Sequence, residues 1–98
     1  YRPSKVLEQG QWGRRLQIFF DEFYGEGFEV EPGQTMTHKF DKAFAGLVWS
    51  GQGAINNNPL SATDQDQREF LVVPNTPIRI HNSGSQKLVI WTVFPLLN

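Results

Sequence analysis

No stretch of this chain keeps apolar residues at helical spacing for long, and turn residues break the sequence at short intervals. That combination points to an all-β sandwich or barrel. The pattern is clearest from Glu31 to Gly53. Pro32-Gly33 punctuates, and Met36, His38 and Phe40 then fall on one face of an alternating strand. Asp41-Lys42 makes a short polar turn, and a second apolar run, Phe44 to Trp49, ends at Ser50-Gly51-Gln52-Gly53. These two segments read as a hairpin-like pair around which the other strands are added.

Tyr1 to Ser4 reads as an extended arm, and Lys5 to Glu8 as a short strand closed by Gln9-Gly10. From Trp12 to Phe20, alternation predicts Leu16, Ile18 and Phe20 inward, with Arg15 and Gln17 outward. Asp21 to Gly27 reads as an acidic, turn-like segment leading into Phe28-Glu29-Val30. Beyond the central pair, Asn56-Asn57-Asn58-Pro59 is a strong turn signal, because Asn tolerates left-handed geometry and Pro fixes φ. Ser61 to Gln67 reads as a surface loop with room for a short helical turn. Phe70 to Val73, ended by Pro74, reads as a buried strand, and Ile78, Ile80 and Asn82 share one face of the next. Leu88 to Phe94 is the last strand. It is apolar on both faces, with Leu88 and Ile90 on one and Val89, Trp91 and Val93 on the other.

Composition narrows the functional classes. A net charge of −1 leaves no basic footprint for nucleic acid or an anionic membrane, and neither partner is expected. The chain has no cysteine, which excludes disulfides, thiolate catalysis and Cys-based zinc sites and fits a reducing, cytoplasmic location. No apolar run approaches the ~20 residues that span a bilayer, and no signal-peptide pattern opens the chain. Because it begins at Tyr1 rather than Met, it is expected to be processed, trimmed or cut from a longer polypeptide.

The order of signals resembles the cupins. The resemblance is carried by Pro32-Gly33-Gln34, His38, the apolar strand running into Ser50-Gly51-Gln52-Gly53, the strand ending at Pro74, and the closing Asn82-Ser83-Gly84. It covers Phe28 to Phe94 and looks closest to small cupin domains related to mannose-6-phosphate isomerase, including those ending mannose-1-phosphate guanylyltransferases. It implies a cupin-type double-stranded β-helix, a small jelly-roll barrel of two antiparallel sheets. Residues 1–98 then form a single cupin domain, with 1–10 as an extended N-terminal arm or short edge strand.

Cupin chemistry rests on a divalent metal held by two His and a Glu from the first motif and a His from the second. Matched to this sequence, the first His position is His38, the second is Phe40, the Glu position is Phe44, and the last His position is Ile78. Three of the four cannot coordinate a metal, so no metal and no cofactor are expected. His81 is one residue off the inward register of Ile78 and Ile80 and cannot restore the set.

His38, Phe40, Phe44, Ile78 and Met36 are therefore the candidate ligand-binding residues, with no catalytic residue assigned. His38 reads either as a hydrogen-bonded core histidine or as a polar anchor at the base of a pocket. Phe40 and Phe44 read as a plug filling the metal's space, the alternative being an aromatic platform for a sugar. Arg79 and His81 read as solvated surface, and the acidic residues of 21–31 as a solvated cluster. The second apolar face, with Trp49, Trp91, Phe19 and Val93, needs cover, either from the N-terminal residues folding across it or from another subunit, and a homodimer built partly on these residues is expected. The functional expectation is a metal-free cupin domain that binds a carbohydrate-like small molecule or serves assembly. The alternative is a metal-dependent, isomerase-like enzyme of the mannose-6-phosphate isomerase type.

Overall fold

A computed structural model describes residues 3–19 and 24–94. Among them the strands are β1 (Pro3–Gly10), β2 (Gly13–Phe19), β3 (Tyr24–Val30), β4 (Thr35–Lys39), β5 (Phe44–Ser50), β6 (Gln52–Ile55), β7 (Asn58–Ser61), β8 (Glu69–Val72), β9 (Pro77–Asn82) and β10 (Leu88–Phe94). A 3₁₀ turn at Gln65–Gln67, capped by Asp64, is the helical turn for which the 61–67 loop leaves room. No helix in the described residues is long and apolar enough to cross a membrane.

The strands form two antiparallel sheets, one ordered β1-β2-β3-β10-β5-β8 and the other β4-β9-β6-β7. Alternating burial on β5, β9 and β10 turns one face of each sheet toward the other. On β9, Ile78, Ile80 and Asn82 are buried while Pro77, Arg79 and His81 are exposed. The shared core takes Phe28, Val30, Phe44, Val48, Val72, Leu88, Ile90 and Phe94 from the larger sheet. From the smaller it takes Met36, Ile55, Leu60, Ile78 and Ile80, and Phe40 joins from the connection after β4.

Local chemistry fixes the turns. Glu31-Pro32-Gly33-Gln34 closes on a 3.0 Å bond from Gln34 N–H to the Glu31 carbonyl, with Gly33 at φ 78°. Proline followed by a positive-φ glycine is the type II pattern. Asn56 and Asn57, at φ 47° and 70°, make the two-residue hairpin between β6 and β7. Gly46 lies under the Phe70 ring, where a Cβ would collide with the ring carbons, so the ring packs onto bare backbone.

The end of the barrel at Val30 and Leu88 is closed by Asn82. Its amide donates to the Val30 and Gln86 carbonyls, each at 2.8 Å, and accepts from Gly84 N–H at 2.8 Å. Its backbone bonds to Gly33 and Gln34. The side chain is fully buried, and these bonds satisfy it.

Several expectations are corrected. β4 and β5 are not a paired hairpin: β4 pairs with β9 in one sheet and β5 with β10 and β8 in the other. The connection 40–43 carries the chain across the barrel. The segment read as an acidic turn is strand from Tyr24 onward, and Glu26 and Glu29 are buried and ion-paired rather than solvated. Gln52-Gly53 opens β6 instead of ending a strand. β8 is an edge strand that ends at the buried Val72, while Leu71 is 83% exposed and Val73, just beyond the strand, 64%. The N-terminal segment is the opposite edge strand and is longer than read, reaching Gly10.

Candidate functional site

The barrel brings the candidate residues together. His38 and Ile78 are register partners on β4 and β9, and Met36 is opposite Ile80. Met36, Phe40, Phe44 and Ile78 are buried. The Phe40 and Phe44 rings are 5.0 Å apart, Phe44 and Phe94 4.9 Å, Phe40 and Phe94 5.5 Å, and Phe28 and Phe40 5.8 Å. At such spacings aromatic edges and faces satisfy one another, and the interior is packed with ring carbon. His38 stands at the rim rather than at the base of a pocket. Its side chain is 30% exposed, and its ring is 4.2 Å from Phe40.

A polar network lies over these rings. Arg15 on β2 points into the barrel, not outward, and Leu16 and Ile18 are buried on the opposite face of that strand. Phe20, expected with them, falls outside the described residues. Arg15 Nη1 donates to Glu26 Oε1 at 2.7 Å, and its guanidinium carbon is 5.6 Å from the Phe40 ring centre. The Tyr24 hydroxyl donates to Glu26 Oε2 at 2.8 Å. Burial, the bond to Glu26 and that carboxylate's charge push the Tyr24 phenol up to about 12, against a smaller opposing pull from Arg15. From the edge strand β1, Glu8 brings Oε1 to 3.5 Å from Arg15 Nε and 3.9 Å from His38 Nδ1. Sequence reading missed Arg15, Glu26, Tyr24 and Glu8. The available signal was the alternation Tyr24, Glu26, Phe28, Val30, hidden by the glycines between.

Arg79 and His81 face solvent, as expected, with His81 Nδ1 2.8 Å from the Thr35 hydroxyl. The second apolar face lies on the outside of the larger sheet. Trp49 and Trp91 stack there at 4.3 Å, nearly parallel, with Trp49 58% and Val93 39% exposed. Two adjoining shallow grooves, of about 540 and 410 Å³, run past Ala45, Leu47, Leu71, Val73, Trp91 and Val93. The side chain of Phe19, expected on this face, is not among those described.

No protein-family model matches the sequence, and no curated protein matches it. Solved structures do match in shape. A cupin domain of an XRE-family transcriptional regulator from Enterobacter cloacae superposes with a TM-score of 0.68 at 15% identity, covering 86% of this chain and 96% of that one. An RmlC-like cupin from Shewanella frigidimarina gives 0.67 at 18% identity, covering 93% and 83%. The fold is a cupin fold. The capsular polysaccharide assembling protein CapF from Staphylococcus aureus gives 0.71 at 17% identity, covering 96% of this chain and 30% of CapF. The chain spans 49% of another of the larger matched chains.

The resemblance matches the cupin metal positions to His38, Phe40, Phe44 and Ile78. Among His38, Phe40, Phe44 and Ile78, only His38 has a donor atom, and the others present carbon alone. Among the described residues no group of three or more His, Cys, Asp or Glu is arranged to hold an ion. This donor set does not fit a divalent metal.

Proposed function

We propose that this chain is a metal-free cupin-fold assembly module that pairs with a second copy of itself through the outer face of its larger sheet. One observation carries the reading: the apolar side chains of that sheet are closed against one another inside, yet across β10, β5 and β8 several stand open outside. Leu71, Val73, Trp49 and Val93 are exposed around the two grooves. Apolar area of this kind gains most by being covered, and a two-fold contact lets one patch cover its own copy. Units of this size also occur within longer chains among the matched structures, which suits a module.

The packed rings leave no flat face for a carbohydrate to stack on at Phe40 and Phe44, so the assembly role is preferred to sugar binding there. An isomerase of the mannose-6-phosphate isomerase type would need an ion to polarise a carbonyl, and the four metal positions do not supply its ligands.

Sedimentation velocity at tens of micromolar tests the reading. The expected species has twice the 11.2 kDa mass of one chain, and Leu71→Asp with Val93→Asp returns it to a folded monomer. A wild-type chain that sediments as a monomer at that concentration overturns the proposal.

A further inference from the structure

The polar network at the barrel rim holds a cation whose donors are not all used. Arg15 is only 16% exposed at its side chain, and Glu26, 5% exposed and itself braced by Tyr24, fixes it in place. The guanidinium over Phe40 completes the setting. Yet Arg15 Nε is buried and makes no hydrogen bond. Guanidinium nitrogens are placed to grip two oxygens of one anion, and a buried donor left without an acceptor is costly. Glu8 Oε1 lies 3.5 Å from Arg15 Nε without hydrogen-bond geometry.

Glu8 is an imperfect occupant of this place. The pairing of β1 with β2 slips between Val6 and Glu8, and such an irregularity re-aims the side chain beside it. The same oxygen, Oε1, is drawn toward Arg15 and His38 together but makes a hydrogen bond with neither. Its side chain remains 42% exposed on an edge strand, so its hold is weak and its removal costs little.

We infer that the rim is an oxyanion site, anchored by Arg15 Nε and His38, which Glu8 occupies as a displaceable internal stand-in. The ligand it takes is a small molecule bearing a carboxylate or phosphate group, whose several oxygens can meet both donors at once. Glu26 remains paired with Arg15 throughout, so exchange of Glu8 for the ligand replaces one negative group with another. No metal is involved, and the site is independent of the outer-face pairing proposed above.

The side-chain Nε–H resonance of Arg15 reads the site directly. Inorganic phosphate and acetate are titrated separately at matched ionic strength, with chloride as the control. The expected result is a saturable shift with at least one of the two and none with chloride, and whichever anion saturates at lower concentration identifies the ligand group. Glu8→Gln, which keeps the shape and removes the competing charge, should tighten binding roughly fivefold. His38→Gln should weaken it by a similar factor while the backbone amide spectrum stays folded. Absence of a saturable shift in both the wild type and Glu8→Gln overturns the inference, as does equal affinity in the two.

Discussion

The inner face of the larger sheet and its outer face across β10, β5 and β8 both carry apolar side chains and meet opposite fates. Inward, Phe28, Phe44, Ile90 and Phe94 find partners across the barrel and are buried. Outward, Leu71, Val73 and Trp49 find little within the chain and remain exposed. The inner face is closed by strands far apart in sequence that fold onto each other. Among the described residues no second sheet lies over the outer face. Apolar alternation alone therefore states how many faces want cover, not where the cover comes from.

The contrast breaks first at the inner face. Phe44→Ala, removing a ring that meets Phe40, Phe94 and Phe70, should cost about 3–5 kcal/mol of unfolding free energy in urea. Next comes the closed end. Asn82→Ala leaves the carbonyls of Val30 and Gln86 and the N–H of Gly84 without this partner and should cost about 2–3 kcal/mol, read the same way.

The outer face should respond least. Leu71→Ser should change the stability of the dissociated monomer by no more than about 0.5 kcal/mol. The same substitution should abolish any dependence of Tm on protein concentration. A loss at Leu71 as large as that at Phe44 would erase the distinction between the faces.

The rim should show its effect only as the pH changes. The Tyr24 phenol, held above its ordinary value of 10.0 and ionising near 12, keeps its proton more tightly folded than unfolded. Its contribution to stability is therefore complete below pH 10 and is lost as the pH rises toward 12. An ultraviolet difference titration of wild type against Tyr24→Phe should show that late ionisation.

Much of this fold was legible. Ile78, Ile80 and Asn82 announce one buried face without help, and Pro32-Gly33 and Asn56-Asn57 specify their turns by φ alone. What failed did so for identifiable reasons. Gly25 and Gly27 are poor strand residues in isolation, yet β3 is flanked by β2 and β10, and the ladder on both sides overrides propensity. On β2, alternation correctly separates Arg15 from Leu16 and Ile18. Both faces of that strand are covered, however, so period two cannot tell which of them lines the barrel. The rim site was hidden for the same reason. Arg15, Glu26 and Glu8 sit on three strands and become a cluster only when the register brings them together. The candidate residues on β4 and β9 were easier, because His38 and Ile78 each sit in a clean local pattern.

Asn82 also gives the barrel an order of opening. By lashing the turn after β3, the turn before β10 and the end of β9 into one knot, it makes that end the last to loosen. Transient breathing must then begin at the rim beside β1, and in heavy water deuterium would advance from there. The backbone protons around Asn82 would be the slowest to exchange.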